Sequence, residues 1–191
     1  MSSPFLVVVG VGLFFVPVWR LRSPEGRLAG FDQREWPTGR NLILVLLDFL
    51  RAMGGAWALD AGLAGLPHFA HHSEWVWQLV LALLTGLGLV VASLVWRDED
   101  HLQAPLPFLA GAMVVLIDPT VLLLVAPLSI GVALALRAWS GLFLTATVGM
   151  ILIGWLLNAQ SWSRVIFSGA VIIFPVVLSV LMGRHMGWPR K

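Results

Sequence analysis

Seven apolar runs, separated by short polar segments, make up most of the chain. They cover roughly residues 4–18, 41–66, 75–96, 106–117, 121–136, 139–157 and 165–182. A helix needs about 20 predominantly apolar residues to cross the hydrocarbon core of a bilayer, and the longer runs reach that length. The pattern predicts an all-α fold, a polytopic transmembrane helical bundle with seven membrane segments.

The segment count depends on residues 105–137. A single helix there would be about 50 Å long, well beyond a hydrocarbon core of about 30 Å, and would carry Pro119 and Pro127 inside it. The sequence Asp-Pro-Thr at Asp118 is typical of a helix start, because Asp and Thr cap helices and Pro at the first position loses no hydrogen bond. We therefore predict two short segments, either spans or a re-entrant pair, at about 106–117 and 121–136.

Basic residues indicate how the chain is oriented. If the N-terminus is outside and the chain turns at Asp118, ten arginine and lysine residues face the cytoplasm, only Arg164 lies outside, and Arg51 lies within the membrane. A single crossing by residues 105–137 would leave seven inside and four outside. The positive-inside rule thus favours the turn, and it places the C-terminus in the cytoplasm with Asp118 at the outer boundary.

Composition agrees with a membrane protein. Apolar residues make up 59% of the chain and charged residues 12%, with a mean hydropathy of +0.90, whereas soluble domains carry about 25% charged residues. We predict one integral membrane domain over residues 1–191. The only extended polar segment, 20–40, is predicted to be a cytoplasmic basic loop. It either contacts anionic lipid or a partner or, as we prefer, sets topology, through Arg20, Arg22, Arg27, Arg34 and Arg40.

Several function classes are excluded by residue usage. The chain has no cysteine, so disulfides, thiolate catalysis and cysteine-ligated metals are excluded. Its single lysine, Lys191, lies in no apolar run, which excludes a Schiff base inside the membrane. The net charge of only +2 gives no reason to expect a nucleic-acid partner. Because G-x-S-x-G, Walker and H-E-x-x-H motifs are missing, we predict no catalytic residue, and we predict no cofactor of the chain's own.

Two charges inside the second run, "NLILVLLDFLRAMGGAWALDAGLAGL", are the main functional candidates. Asp48 lies about 10 Å from the start of the run and Arg51 about 15 Å, close to the midplane. An unpaired arginine there costs at least about 2.5 kcal/mol, but residues at i and i+3 share a helix face and can form an ion pair. The pair serves either transport or assembly. Asp60, near the outer end, and Asp118 are secondary polar candidates.

A stripe of small residues follows the charges on the same run. Gly54, Ala58 and Gly62 repeat every four residues, a spacing that lets another helix approach closely. The partner helix is either part of this chain or part of another subunit.

Four potential metal ligands lie together at the predicted outer boundary, in "HFAHHSE". His68 and His72 have the i, i+4 spacing of a shared metal site, with His71 and Glu74 beside them. Pro67 favours a loop instead, so we prefer solvated histidines.

Tryptophan marks the ends of the runs, as expected of an interfacial belt. The residues concerned are Trp19, Trp75, Trp77, Trp96, Trp139, Trp162 and Trp188.

The favoured hypothesis is a non-catalytic accessory subunit of a larger membrane complex in a bacterial cytoplasmic membrane. Its partners would be the lipid bilayer and other membrane subunits or further copies. The alternative is a small ion or solute transporter that uses the Asp48–Arg51 pair.

Overall fold

The computed structural model describes residues 3–15, 39–66, 74–94, 106–157 and 161–183, and nearly all of them are helical. Seven helices lie in these ranges: α1 Ser3–Phe15, α2 Gly39–Ala64, α3 Glu74–Leu94, α4 Leu106–Leu116, α5 Pro119–Leu136, α6 Trp139–Leu156 and α7 Trp162–Leu181. The predicted all-α class is confirmed.

Four of the helices, α3, α5, α6 and α7, are long and apolar enough to cross a membrane. Two further apolar helices, α1 and α4, are shorter, and α2 has the length of a span but carries several charges. Large apolar side chains such as Leu123, Val180 and Leu181 are exposed on the outside of the bundle, as they are where a protein meets lipid. An integral membrane protein is therefore supported, while seven complete spans and their orientation stay predictions.

Helix α2 lies at the centre of one half of the bundle. It packs against α1 on one side and against α4 on another. In the other half, α5 packs against α6, α6 packs against α7, and α7 packs against α3. The fully buried side chains Phe14, Leu59 and Phe108 lie where α1, α2 and α4 meet. The helix with the most charges thus contributes to this buried contact between three helices.

Small residues explain how closely α1 approaches α2. A Cβ on Gly10 would come within 3.0 Å of the carbonyl oxygen of Gly55, and one on Gly62 within 2.9 Å of the backbone nitrogen of Val7. At Gly54 the nearest atom would be 3.7 Å away, so this glycine lies at the edge of the contact. The predicted small-residue stripe, with Ala58 buried in it, therefore faces α1 of the same chain.

Residues 106–136 form two helices joined at Asp118. This residue is extended, with φ −55° and ψ 132°, and its Oδ1 accepts a hydrogen bond of 2.8 Å from the backbone nitrogen of Thr120. Pro119 occupies the first turn of α5, so the helix begins two residues before the predicted boundary. Helix α4 packs mainly on α2 and α5 mainly on α6, so the two diverge from the joint instead of pairing along their lengths.

The polar contacts between helix ends give the relative directions of the helices. The beginnings of α1, α3 and α7 lie together with the end of α2, at what we call the Asp60 end of the bundle. The contacts there are Ser3 Oγ to Gly65 O at 2.9 Å, Arg164 Nη2 to Asp60 Oδ1 at 3.1 Å and Gln78 Nε2 to Ser161 Oγ at 3.2 Å. Which side of a membrane this end faces stays a prediction.

The cap at the α4–α5 joint leads to a first testable prediction. Replacing Asp118 with alanine removes the acceptor for the Thr120 backbone N–H, so we expect the free energy of unfolding to fall by about 1 kcal/mol. Asparagine keeps a side-chain oxygen and should keep most of that stability. Thermal unfolding in detergent, followed by tryptophan fluorescence, measures both variants. Equal losses for alanine and asparagine would show that the charge, and not the cap, matters at this joint.

Candidate functional site

Two polar clusters join helices in the described part of the chain, and each contains one carboxylate of α2. The Arg51 cluster consists of Asp48, Arg51, Phe108 and the carbonyl groups of Leu13 and Phe14. The Arg164 cluster consists of Asp60, Trp77, Gln78, Ser161 and Arg164.

The structure brings Asp48 and Arg51 together as an ion pair within α2. Arg51 Nη2 lies 2.6 Å and Nε 3.0 Å from the same carboxylate oxygen, Asp48 Oδ1. The arginine side chain is 10% exposed and the aspartate side chain 24%. The i, i+3 spacing permits this geometry, because both side chains leave the helix on neighbouring faces. The charge of Arg51 is therefore neutralised within its own helix.

Arg51 also binds the end of α1. Its Nη1 donates hydrogen bonds to the carbonyl oxygens of Leu13 at 2.9 Å and Phe14 at 3.1 Å. The last four carbonyl groups of a helix have no partner within the helix, and the C-terminal end of a helix attracts positive charge. Arg51 satisfies both requirements at once. It caps α1 and fixes that helix to α2.

Phe108 on α4 completes the Arg51 cluster. Its ring centroid lies 5.2 Å from Cζ of Arg51, within the range of a cation–π interaction, and 5.2 Å from the ring of Phe14 at an interplanar angle of 56°. Through this ring the arginine contacts a third helix. The cluster thus consists of one cation held by α1, α2 and α4.

The Arg164 cluster joins α2, α3 and α7 at the Asp60 end. Arg164 Nη2 lies 3.1 Å from Asp60 Oδ1, and both side chains are about one quarter exposed. Cζ of Arg164 lies 5.9 Å from the ring of Trp77. From the sequence, Arg164 was predicted only as a lone outside charge, and its pairing with Asp60 was not predicted. The available signal was that the predicted topology places Arg164 and Asp60, which have opposite charges, at the same boundary.

Gln78 is a buried polar residue that sequence reasoning also missed. It is 5% exposed, and its Nε2 donates a hydrogen bond of 3.2 Å to Ser161 Oγ. Its Oε1 is buried without a hydrogen-bond partner, and so is Nε of Arg164. The signal was present in "EWVWQLVLALL", where Gln78 is the first polar side chain inside the apolar run. A polar group at that position needs partners from other helices.

Three buried hydroxyl groups bond to their own helices. Thr85, Ser129 and Thr147 each donate a hydrogen bond of 2.8 Å to the carbonyl oxygen four residues earlier. This pattern satisfies the hydroxyl locally and adds no contact between helices. These side chains therefore do not extend either cluster across the bundle.

The other predicted site residues are mostly outside the described ranges. His68, His71 and His72 lie there, while Glu74 is exposed in the first turn of α3. The described residues contain no group of three acidic, histidine or cysteine side chains placed to hold a metal ion. Arg20, Arg22, Arg27 and Arg34 also lie outside these ranges, and Arg40 is described only as part of the backbone of α2. The metal hypothesis and the role of the basic loop stay predictions.

Comparison of the chain with protein-family models, with curated proteins and with solved structures finds no match. The chemistry of the two clusters is that of ion pairs, helix caps and aromatic contacts. Within the described residues, neither cluster pairs a hydroxyl group with a base or assembles several carboxylates. The arrangement is suited to holding helices together.

Proposed function

We propose that the protein is a non-catalytic structural subunit of a larger membrane complex. The observation that carries the proposal is the commitment of Arg51 to packing inside its own chain. The deepest charge of α2 bonds to Asp48 and to the last carbonyl groups of α1, and it lies against Phe108. A charged side chain that contacts three helices stabilises the packing of those helices.

The exposed surface of α5 leaves room for the neighbouring subunits that this proposal requires. Helix α5 packs mainly on α6, and only 22% of its residues are buried. Lipid gives little hydrophobic driving force between helices, so exposed membrane helices are covered equally well by lipid tails or by another protein. A helix in this position leaves a broad face for neighbouring subunits.

The alternative function, a small ion or solute transporter using Asp48 and Arg51, is less well supported. A path along α2 would have to connect the Arg51 cluster with the Arg164 cluster. Ala52, Ala56 and Leu59 occupy α2 between them, and all three are fully buried in apolar contacts. They offer no polar side chain to a permeating ion, which would then lose its hydration without compensation.

Co-purification tests the proposal. The tagged chain, expressed at its native level and solubilised in mild detergent, should co-purify with other membrane subunits in fixed stoichiometry. Recovery as a pure monomer or homo-oligomer would contradict the proposed role. As a parallel measurement, vesicles containing the purified chain should show no more ion or solute flux than empty vesicles. Flux that disappears in Asp48→Asn, while the protein stays assembled, would support the transporter instead.

A further inference from the structure

Two exposed tryptophans meet where α6 ends and α7 begins. Trp155 is the next-to-last residue of α6, and Trp162 is the first residue of α7. Their ring centroids are 6.4 Å apart, and the ring planes are tilted by 39°. Trp155 is 60% exposed and Trp162 54%, although tryptophan is highly buried on average. The pair thus presents a large aromatic surface on the outside of the bundle.

This aromatic pair lies at the depth of lipid headgroups. Helix α6 has 18 residues and α7 has 20, so the two helices are about 27 and 30 Å long, close to the thickness of the hydrocarbon core. Helices of this length place their ends at the two membrane boundaries. Trp155 and Trp162 therefore lie at the boundary formed by the Asp60 end, where the charged groups of phospholipids are found.

The described charges at this boundary favour a cation over an anion as the ligand. Arg164 is the only described cation at the Asp60 end, and it is paired with Asp60. Glu74, in the first turn of α3, is exposed and forms no ion pair in the described part of the chain. It shares a helix face with Gln78, one turn later, whose amide binds Ser161. An exposed carboxylate thus begins on the face of α3 that meets the start of α7.

We propose that the Trp155–Trp162 pair binds the ammonium group of a phospholipid headgroup. An aromatic ring attracts a cation that lies within about 6 Å of its centroid, and aromatic cages recognise ammonium ligands in this way. Because the two centroids are 6.4 Å apart, one ammonium group fits within about 6 Å of both. Zwitterionic lipids such as phosphatidylethanolamine carry that group at the depth of the pair.

Native mass spectrometry of the full-length protein tests the site. The protein is released from detergent micelles containing equimolar dioleoyl phosphatidylethanolamine and dioleoyl phosphatidylglycerol, which differ only in headgroup. The measured quantity is the ratio of bound phosphatidylethanolamine to bound phosphatidylglycerol. Trp155→Leu and Trp162→Leu should each lower this ratio about two- to five-fold, the effect of losing one exposed cation–π contact. An unchanged ratio in both variants would overturn the proposal.

Three further variants separate headgroup binding from general anchoring. Trp57→Leu removes an equally exposed tryptophan of α2 that is not part of the pair, so the ratio should stay at the wild-type value. Trp162→Phe keeps an aromatic face and should keep most of the ratio, whereas Glu74→Gln should lower it by removing the nearby negative charge. An equal loss in Trp57→Leu would show that tryptophan anchors the protein without headgroup preference, which would overturn the site. The inference does not depend on the proposed function, because the purified chain alone meets these lipids.

Discussion

Replacing Arg51 with methionine is expected to lower the free energy of unfolding by about 3 kcal/mol, the lower end of the cost of removing one partner from a buried ion pair, because this pair is only partly buried. Methionine keeps an unbranched apolar stem, so the loss reports mainly on the guanidinium. The Asp48 carboxylate would lose its cation, and the carbonyl groups of Leu13 and Phe14 would lose their donor. Unfolding in mixed micelles, followed by tryptophan fluorescence, measures the change.

The control is the same substitution at an exposed arginine. Arg137 follows α5 and is exposed, so Arg137→Met should change the free energy of unfolding by no more than about 0.5 kcal/mol. Comparable losses at the two positions would mean that removing positive charge destabilises the protein generally. The prediction that Arg51 stabilises the protein specifically by capping α1 would then be wrong.

A charge swap distinguishes a simple ion pair from the observed cluster. Asp48→Arg combined with Arg51→Asp preserves opposite charges at i and i+3. It also removes the guanidinium that binds the carbonyl oxygens of Leu13 and Phe14 and lies over the face of Phe108, and it leaves a shorter, negatively charged side chain on that side of α2. We expect the swapped protein to be no more stable than Arg51→Met, because the carbonyl groups at the end of α1 lose their donor and a negative charge near a helix C-terminus and an aromatic face is unfavourable. Full recovery of stability would show that the ion pair alone, without the contacts to α1 and α4, accounts for the effect of Arg51.

Local signals made part of this structure predictable. The joint at Asp118 follows from three consecutive residues, since the cap of Thr120 and the position of Pro119 need no information from elsewhere in the chain. The pairing of Asp48 with Arg51 follows from their spacing on one helix. In both cases the interacting groups lie within three residues of each other, and helix geometry alone fixes their distance.

The partners of Arg51 and Arg164 could not be predicted in the same way. The carbonyl groups bound by Arg51 lie 37 and 38 residues earlier in the chain, and Asp60 lies 104 residues before Arg164. Apolar runs indicate that helices exist, but nearly uniform Leu and Val sequences carry little information about which faces meet. The predicted stripe beginning at Gly54 identified a contact face of α2, yet the adjacent Gly55 lies closer to α1.

Gly111 is the strongest example of such a hidden contact, and replacing it with alanine is expected to destabilise the protein by about 3 kcal/mol. A Cβ at this position would overlap the carbonyl oxygen of Phe49 and lie 3.1 Å from the backbone nitrogen of Met53. Neither atom belongs to a flexible side chain, so α4 would have to move away from α2. Thermal unfolding in detergent should show the loss directly.

The matched control is Gly131→Ala in α5, where a Cβ would meet nothing within 4 Å. Alanine favours helix over glycine by up to about 1 kcal/mol, so this variant should be as stable as the wild type or slightly more stable. A loss of stability in Gly111→Ala together with a gain in Gly131→Ala would identify the α2–α4 contact as the cause of the loss. A stability gain at both positions would show that the two helices separate without cost, contradicting the close contact.

The Gly111→Ala and Arg51→Met effects should not add. Phe108 lies one helical turn before Gly111 on α4, so moving α4 away from α2 also withdraws the ring from Arg51. The double variant should therefore lose less stability than the sum of the single losses, because part of each loss comes from the same contact. Strict additivity would mean that the Phe108 ring contributes nothing to holding Arg51, and that the cation is held by α1 and α2 alone.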